Sequence, residues 1–267
     1  ANFTADVADQ AITLSNTSNS FTGAVSLNTL GTSGGATLTS NNAVTLSTST
    51  IGGDLNVTVG GGNSLNVTGA ATAGGLISLL ADDDIIFTAS GDLTTTTGNI
   101  SVTANNDSDS SGSGGALPMV DGTVVDAGSG TLALSADEDI TLGLLQTTSS
   151  SDTAVTLTST RGGVFDGDSD SSLDIDAANG RLVADVVTGF GTEFNAIETK
   201  VKSLDIDNTT SGDINIFESD AIEIFKIDQA GSGNIDVSYQ GSISGINNAV
   251  VSFTGTPKGV EIGRAHV

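Results

Sequence analysis

Short runs in which every second residue is apolar recur along this chain, and they come in pairs. Leu38 and Leu46 flank "TSNNAVT", Val57 and Leu65 flank "TVGGGNS", and Leu79 and Phe87 flank "LADDDII". Leu134 and Leu142 flank "SADEDIT", and Leu157 and Phe165 flank "TSTRGGV". The two members of each pair stand eight residues apart with Asn, Gly, Asp or Arg-Gly between them, which reads as strand, corner, strand. The first members recur in turn: Val57 follows Leu38 by 19 positions, Leu79 follows Val57 by 22, Val102 follows Leu79 by 23, and Leu157 follows Leu134 by 23. A unit of that size holds two or three short strands with their turns and cannot bury its apolar face alone. Stacked units can, each strand bonding to the coil above and below at a spacing of roughly 4.8 Å.

The pattern therefore predicts an all-β fold: a parallel β-helix, or β-solenoid, of repeats about 20–31 residues long with loop excursions, forming a single unit over residues 1–261. A β-sandwich is the competing reading, since turns such as Asn179-Gly180 suit antiparallel hairpins, but a sandwich does not require similarity at a coil-sized period. Residues 105–122, which open with "NNDSDSSGSGGA", are polar and low in complexity and are expected to protrude from one coil as a loop. In the C-terminal third, Ser-Leu-Asp-Ile-Asp occurs at 172–176 and again at 203–207, an offset of 31 that suggests a longer coil there. "GTEFNAIETKVKSL", 191–204, spaces Phe194, Ile197, Val201 and Leu204 as a short helix would, while its second half also alternates as a strand.

Composition narrows the function. With 37% hydrophobic but only 4% aromatic residues, the chain can bury a core of small aliphatic side chains. Seven basic against 32 acidic residues give a net charge of −25, which disfavours nucleic acid and anionic membrane surfaces and favours cations. No Cys is present, so neither a disulfide scaffold nor thiol chemistry is available, and no apolar run approaches the roughly 20 residues of a membrane helix. The chain opens without an initiating Met or a signal peptide and is expected to be part of a longer one. Its last six residues, "IGRAHV" (262–267), depart from what precedes them and can be encoded by a common sequencing-adapter sequence, so His266 is not expected to carry chemistry.

"DGTVVDAGSGTLALSADEDITLGLLQTT", followed by "AVTLTSTRGGVFDGD" and "AIETKVKSLDIDNTTSGDINIFESDAIEI", resembles the repeats of giant bacterial surface proteins of the filamentous haemagglutinin-like adhesin kind. The resemblance spans roughly residues 35–255 and rests on composition and period. It implies a β-helical shaft, extracellular or on the bacterial cell surface, that holds adhesive regions away from the cell, with a host, cell-surface or matrix ligand as partner.

Candidate chemistry is sparse. Asp166, Asp168 and Asp170 alternate in "DGDSDSSLDID" like the first half of a calcium loop, so calcium is the one cofactor the sequence suggests. Ser171 and Ala177 stand where an EF-hand would have Gly and Glu, so further ligands would have to come from the next coil. Asp82-Asp83-Asp84 and Asp137-Glu138-Asp139 read as solvated acidic corners. A calcium-dependent carbohydrate-binding module is thus an alternative function. A polysaccharide-active enzyme is a more distant one: Trp is absent, Tyr239 is the only Tyr, and Arg161 near Asp166 and Asp168 is explained by a corner ion pair. Phe21, Phe87, Phe165, Phe217, Phe225 and Phe253 fall in phase with Leu or Val of other repeats and are expected to fill the core.

Overall fold

The computed structural model describes residues 1–105, 114–168, 170–244, 250–253 and 260–264. Its strands are parallel and stack as a β-solenoid of about 11 coils, with no helix among the described residues. Most coils contribute three strands, one to each of three walls. The coil at 36–51 shows the plan: Ala36–Ser40 on the first wall, Val44–Leu46 on the second and Ser49–Ile51 on the third. Alternation along each strand sends every second side chain inward, as in the buried–half-buried–buried pattern of Leu55–Val59.

On the first wall the expected register holds residue for residue. Leu38, Val57, Leu79, Val102, Leu134 and Leu157 are successive partners and form one inward column, each at most 1% exposed. The column beside it, facing out, runs Thr39, Thr58, Leu80, Thr103, Ser135, Thr158, Asp185, Asp207 and Asp228, whose backbone pairs in turn with Ser252. Successive members are 19 to 32 positions apart, the longest step being Thr103 to Ser135, where 106–113 intervene. That segment lies outside the described residues, but Leu117 and Met119 do not belong to a protruding loop. Both are buried, and Leu117–Pro118 pairs with Ile140–Leu142 on the second wall, where the apolar side chains of Leu117 and Met119 complete the coil.

Three sequence expectations change. The second wall aligns Leu46 with Val67 and Phe87, while Leu65 stands between Val44 and Ile85. The Val57–Leu65 pair is thus two residues out, because the Gly60-Gly61-Gly62 corner is longer than its counterparts. The 31-residue offset is not a coil: Ser203-Leu204 pairs with Arg181-Leu182, giving a step of 22, and Ser172–Asp176 belongs to the previous wall. Two long strands explain the illusion, because Ile175–Val186 and Ile197–Asn208 bend around a corner and each serves two walls. For the same reason 197–208 is strand and not helix, and Phe194 sits 90% exposed at a tight turn closed by Thr192 and Asn195.

The aromatics fill less of the core than their phase suggests. Phe87 and Phe190 are fully buried, while Phe165 and Phe217 are half-buried on outward positions and Phe21 meets Phe3 edge-on at the first coils. Phe225 is the extra residue of a bulge between Leu204 and Asp205, so it turns outward, where the Arg181 guanidinium covers its ring at 3.9 Å. The side chain of Phe253 is outside the described residues. The core is otherwise a continuous aliphatic column of Leu, Ile, Val and Ala. At the far end, Ile262, Gly263 and Arg264 pair with Val237, Ser238 and Tyr239, while His266 lies outside the described residues.

Candidate functional site

Acidic residues at the corners are built into the stacking. Asp54, Asp84, Asp92, Asn99, Asp139 and Asp213 each precede the first inward Ile or Leu of a strand. Each places its Oδ1 to accept the backbone N–H of the equivalent position one coil on: Leu76, Ala116, Val124, Thr131, Gly163 and Asn234, at 2.7–3.0 Å. A strand's ladder ends at its corner, and the side-chain oxygen replaces the missing carbonyl acceptor. Asp137 adds a second tie, ion-pairing with Arg161 and accepting from the Thr160 hydroxyl on the next coil. Arg161 therefore pairs with Asp137 and not with Asp166 or Asp168.

The triplet Asp166, Asp168, Asp170 is split by the fold. Asp166 Oδ1 accepts the Asp168 N–H at 2.9 Å, Asp168 Oδ1 accepts the Asp170 N–H at 2.7 Å, and Asp170 Oδ1 accepts the Ser172 N–H at 2.5 Å. These successive Asx turns carry the chain around a corner and engage one oxygen of each carboxylate locally. Asp170 is exposed, and its serine contacts hold its pKa below the ordinary value.

Asp166 has a second role. It is the partner of Leu142, in a second-wall column whose earlier members are Leu46, Val67, Phe87 and Met119, so its side chain points where five coils place an apolar group. Its Oδ2 is buried with no hydrogen-bond partner. Beside it stand Asp174, 4% exposed, and Glu198, 8% exposed, one coil apart on the third wall. Oxygens of all three carboxylates lie within 4.8 Å of one another. Asp174 Oδ2 accepts the Glu198 N–H at 2.8 Å, the same inter-coil bond the other corner carboxylates make. Burial drives the Asp174 carboxyl far above the ordinary carboxylate range, and the charges of Asp166 and Glu198 push in the same direction; burial raises Glu198 as well.

A fourth buried carboxylate, Glu218, stands in the adjacent inward column, which runs Ala71, Leu93, Val125, Leu145, Ile175, Thr199, Glu218 and on to Tyr239. It accepts the Thr199 hydroxyl at 2.8 Å and the Val201 N–H at 3.2 Å, yet burial still raises it to about 8. Two surface hollows flank the cluster. Asp174 lines one of about 400 Å³ with Asp121, Asp168 and Asp176, and Glu198 lines one of about 360 Å³ with Asp170, Phe194 and Asn195.

Asp168 and Asp170 are thus placed at the rim, Asp166 inside, and Asp174 and Glu198 are the members that the sequence reading missed. The signal was available in the columns, since a carboxylate replaces an apolar residue at 166 once the second wall is aligned. Comparison of the chain with protein-family models, with curated proteins and with solved structures finds no match.

Proposed function

We propose that this chain is a non-catalytic shaft segment of a large extracellular or cell-surface bacterial protein, which spans distance and carries adhesive regions away from the cell. The observation that supports it most is continuity: one outward column passes from Thr39 to Asp228 through consecutive pairings, so each coil lengthens the molecule by one strand spacing, with no second layer among the described residues. Thr, Ser, Asn and Asp dominate its outer face, a hydrated surface of strongly negative net charge that keeps neighbouring shafts apart. The buried acids lend catalysis little support, because Asp174 and Glu198 are almost wholly covered and present only a small part of their surface to the hollows they line.

End-to-end stretching of single molecules tests this reading. A shaft should resist pulling and then release length in steps of one coil, about 19 to 32 residues each. Turnover of an acidic or neutral polysaccharide that Asp174→Asn or Glu198→Gln abolishes would retire it in favour of an enzyme.

A further inference from the structure

We infer that Asp166, Asp174 and Glu198 form a calcium site inside the solenoid wall, bridging two successive coils. Acidic residues at corners are common in this chain and are explained by the amides they accept; this group differs in two respects. Glu198 is more than nine-tenths buried, and among the described residues no Lys or Arg pairs with it, its carboxylate facing that of Asp174 instead. Asp166 Oδ2 is a buried oxygen without a partner, turned into the cluster from the opposite wall of the corner. Buried polar atoms are normally satisfied, and three carboxylates held together with no cationic side chain among them lack the compensation that one cation would supply.

The donor set identifies the cation class. All candidate ligand atoms are carboxylate oxygens, with neither His nor Cys among the ligands, which selects a hard cation over zinc or copper. Oxygens on opposite sides of one Ca²⁺ ion, at about 2.3–2.6 Å each, stand about 5 Å apart, so a group confined within 4.8 Å fits a single coordination sphere. Mg²⁺ demands a near-ideal octahedron at about 2.0–2.1 Å and gives up its waters reluctantly, so a buried set of three carboxylates suits it less well. The remaining positions fall to water, reached through the hollow that Asp174 shares with Asp121, Asp168 and Asp176. Because Asp166 comes from one coil and Glu198 from the next, the ion would fasten the region where the strands lengthen and begin to bend across corners.

The test is calorimetric titration of the chelator-treated chain with CaCl₂ at neutral pH, alongside thermal unfolding with and without Ca²⁺ at matched ionic strength. One Ca²⁺ should bind per chain, and at a free concentration 100 times the Kd the unfolding constant of the segment holding the site should fall about 100-fold. Glu198→Gln should abolish both effects, and because it removes a buried charge it should leave the calcium-free protein at least as stable. Asp168→Asn with Asp170→Asn, at the rim, should keep both. No calcium heat in the unaltered chain overturns the inference whatever the variants do. So does calcium binding that survives Glu198→Gln or is lost in the rim variant, and so does a preference for Mg²⁺. Should Glu198→Gln fail to fold, Asp166→Asn decides in its place.

Discussion

Leu134 and Ser135 are neighbours in one strand, and the solenoid assigns them opposite fates. Leu134 is 1% exposed between Val102 and Leu157, whereas Ser135 faces outward between Thr103 and Thr158. Placing Asp at each in turn tests the inside–outside assignment with the same chemical change. For Leu134→Asp, loss of a buried aliphatic side chain costs about 2–3 kcal/mol. The carboxylate then either opens the coil or folds neutral, and protonating at pH 7 a group of ordinary pKa about 3.9 costs about 4 kcal/mol more. A total near 6–7 kcal/mol is a large part of a domain's usual stability of about 5–15 kcal/mol. Ser135→Asp should stay within about 0.5 kcal/mol. Urea unfolding followed by far-ultraviolet circular dichroism measures both, and hydrogen exchange at the adjoining coils shows whether the loss is local, as repeat architectures allow. The sign with pH is a second check: the inward Asp has a raised folded pKa, so its variant should recover stability as pH falls from 7 towards 4, and the outward one should not. Equal unfolding midpoints for the two variants would refute the assignment.

Other consequences are as specific. A Cβ on Gly98 would lie 2.0 Å from the Gly75 carbonyl oxygen of the coil below, so Gly98→Ala should cost about 1–3 kcal/mol as overpacking does, whereas Gly23→Ala meets nothing within 4 Å and should be neutral or slightly stabilising in the same melts. Asp139→Ala removes the acceptor of the Gly163 N–H and should lower stability by about 1 kcal/mol, and Asp139→Asn, which keeps an oxygen there as Asn99 does naturally, should restore most of it. Glu218, raised to about 8 by burial, binds a proton more tightly folded than unfolded. Its contribution should therefore be full below about pH 4.5 and fall as pH rises through 8, and Glu218→Gln should flatten that part of the stability curve.

The first wall was legible in the sequence to the residue, because its inward positions from Leu38 to Leu157 are aliphatic in every coil and period-two alternation leaves no freedom of register. The second wall was less so. Its strands are three residues long and its corners vary, so spacing alone placed Leu65 where Val67 belongs. The repeated Ser-Leu-Asp-Ile-Asp misled for a different reason: the second copy lies wholly within a strand, whereas in the first only Ile175 and Asp176 do and Asp174 is buried at the corner before them, a difference that identical residues cannot record. The corner acids were read as solvent-facing turns, although the recurring Asp-Ile, Asp-Leu and Asn-Ile steps record a backbone amide waiting one coil away. The buried carboxylate cluster was beyond a linear reading, since Asp166, Asp174 and Glu198 meet only after two corners and one coil have been closed.

Distance along the stack tests the central claim most directly. The chain has no Cys, so spin labels can be attached at introduced Cys pairs in the outward column without removing a native thiol. Thr58 and Asp185 are five pairings apart, and Thr39 and Asp228 are eight. At about 4.8 Å per coil the backbone separations should be about 24 and 38 Å, growing in proportion to coil number. Separations that fail to grow, with Thr39 and Asp228 no farther apart than Thr58 and Asp185, would contradict a chain that gains length coil by coil.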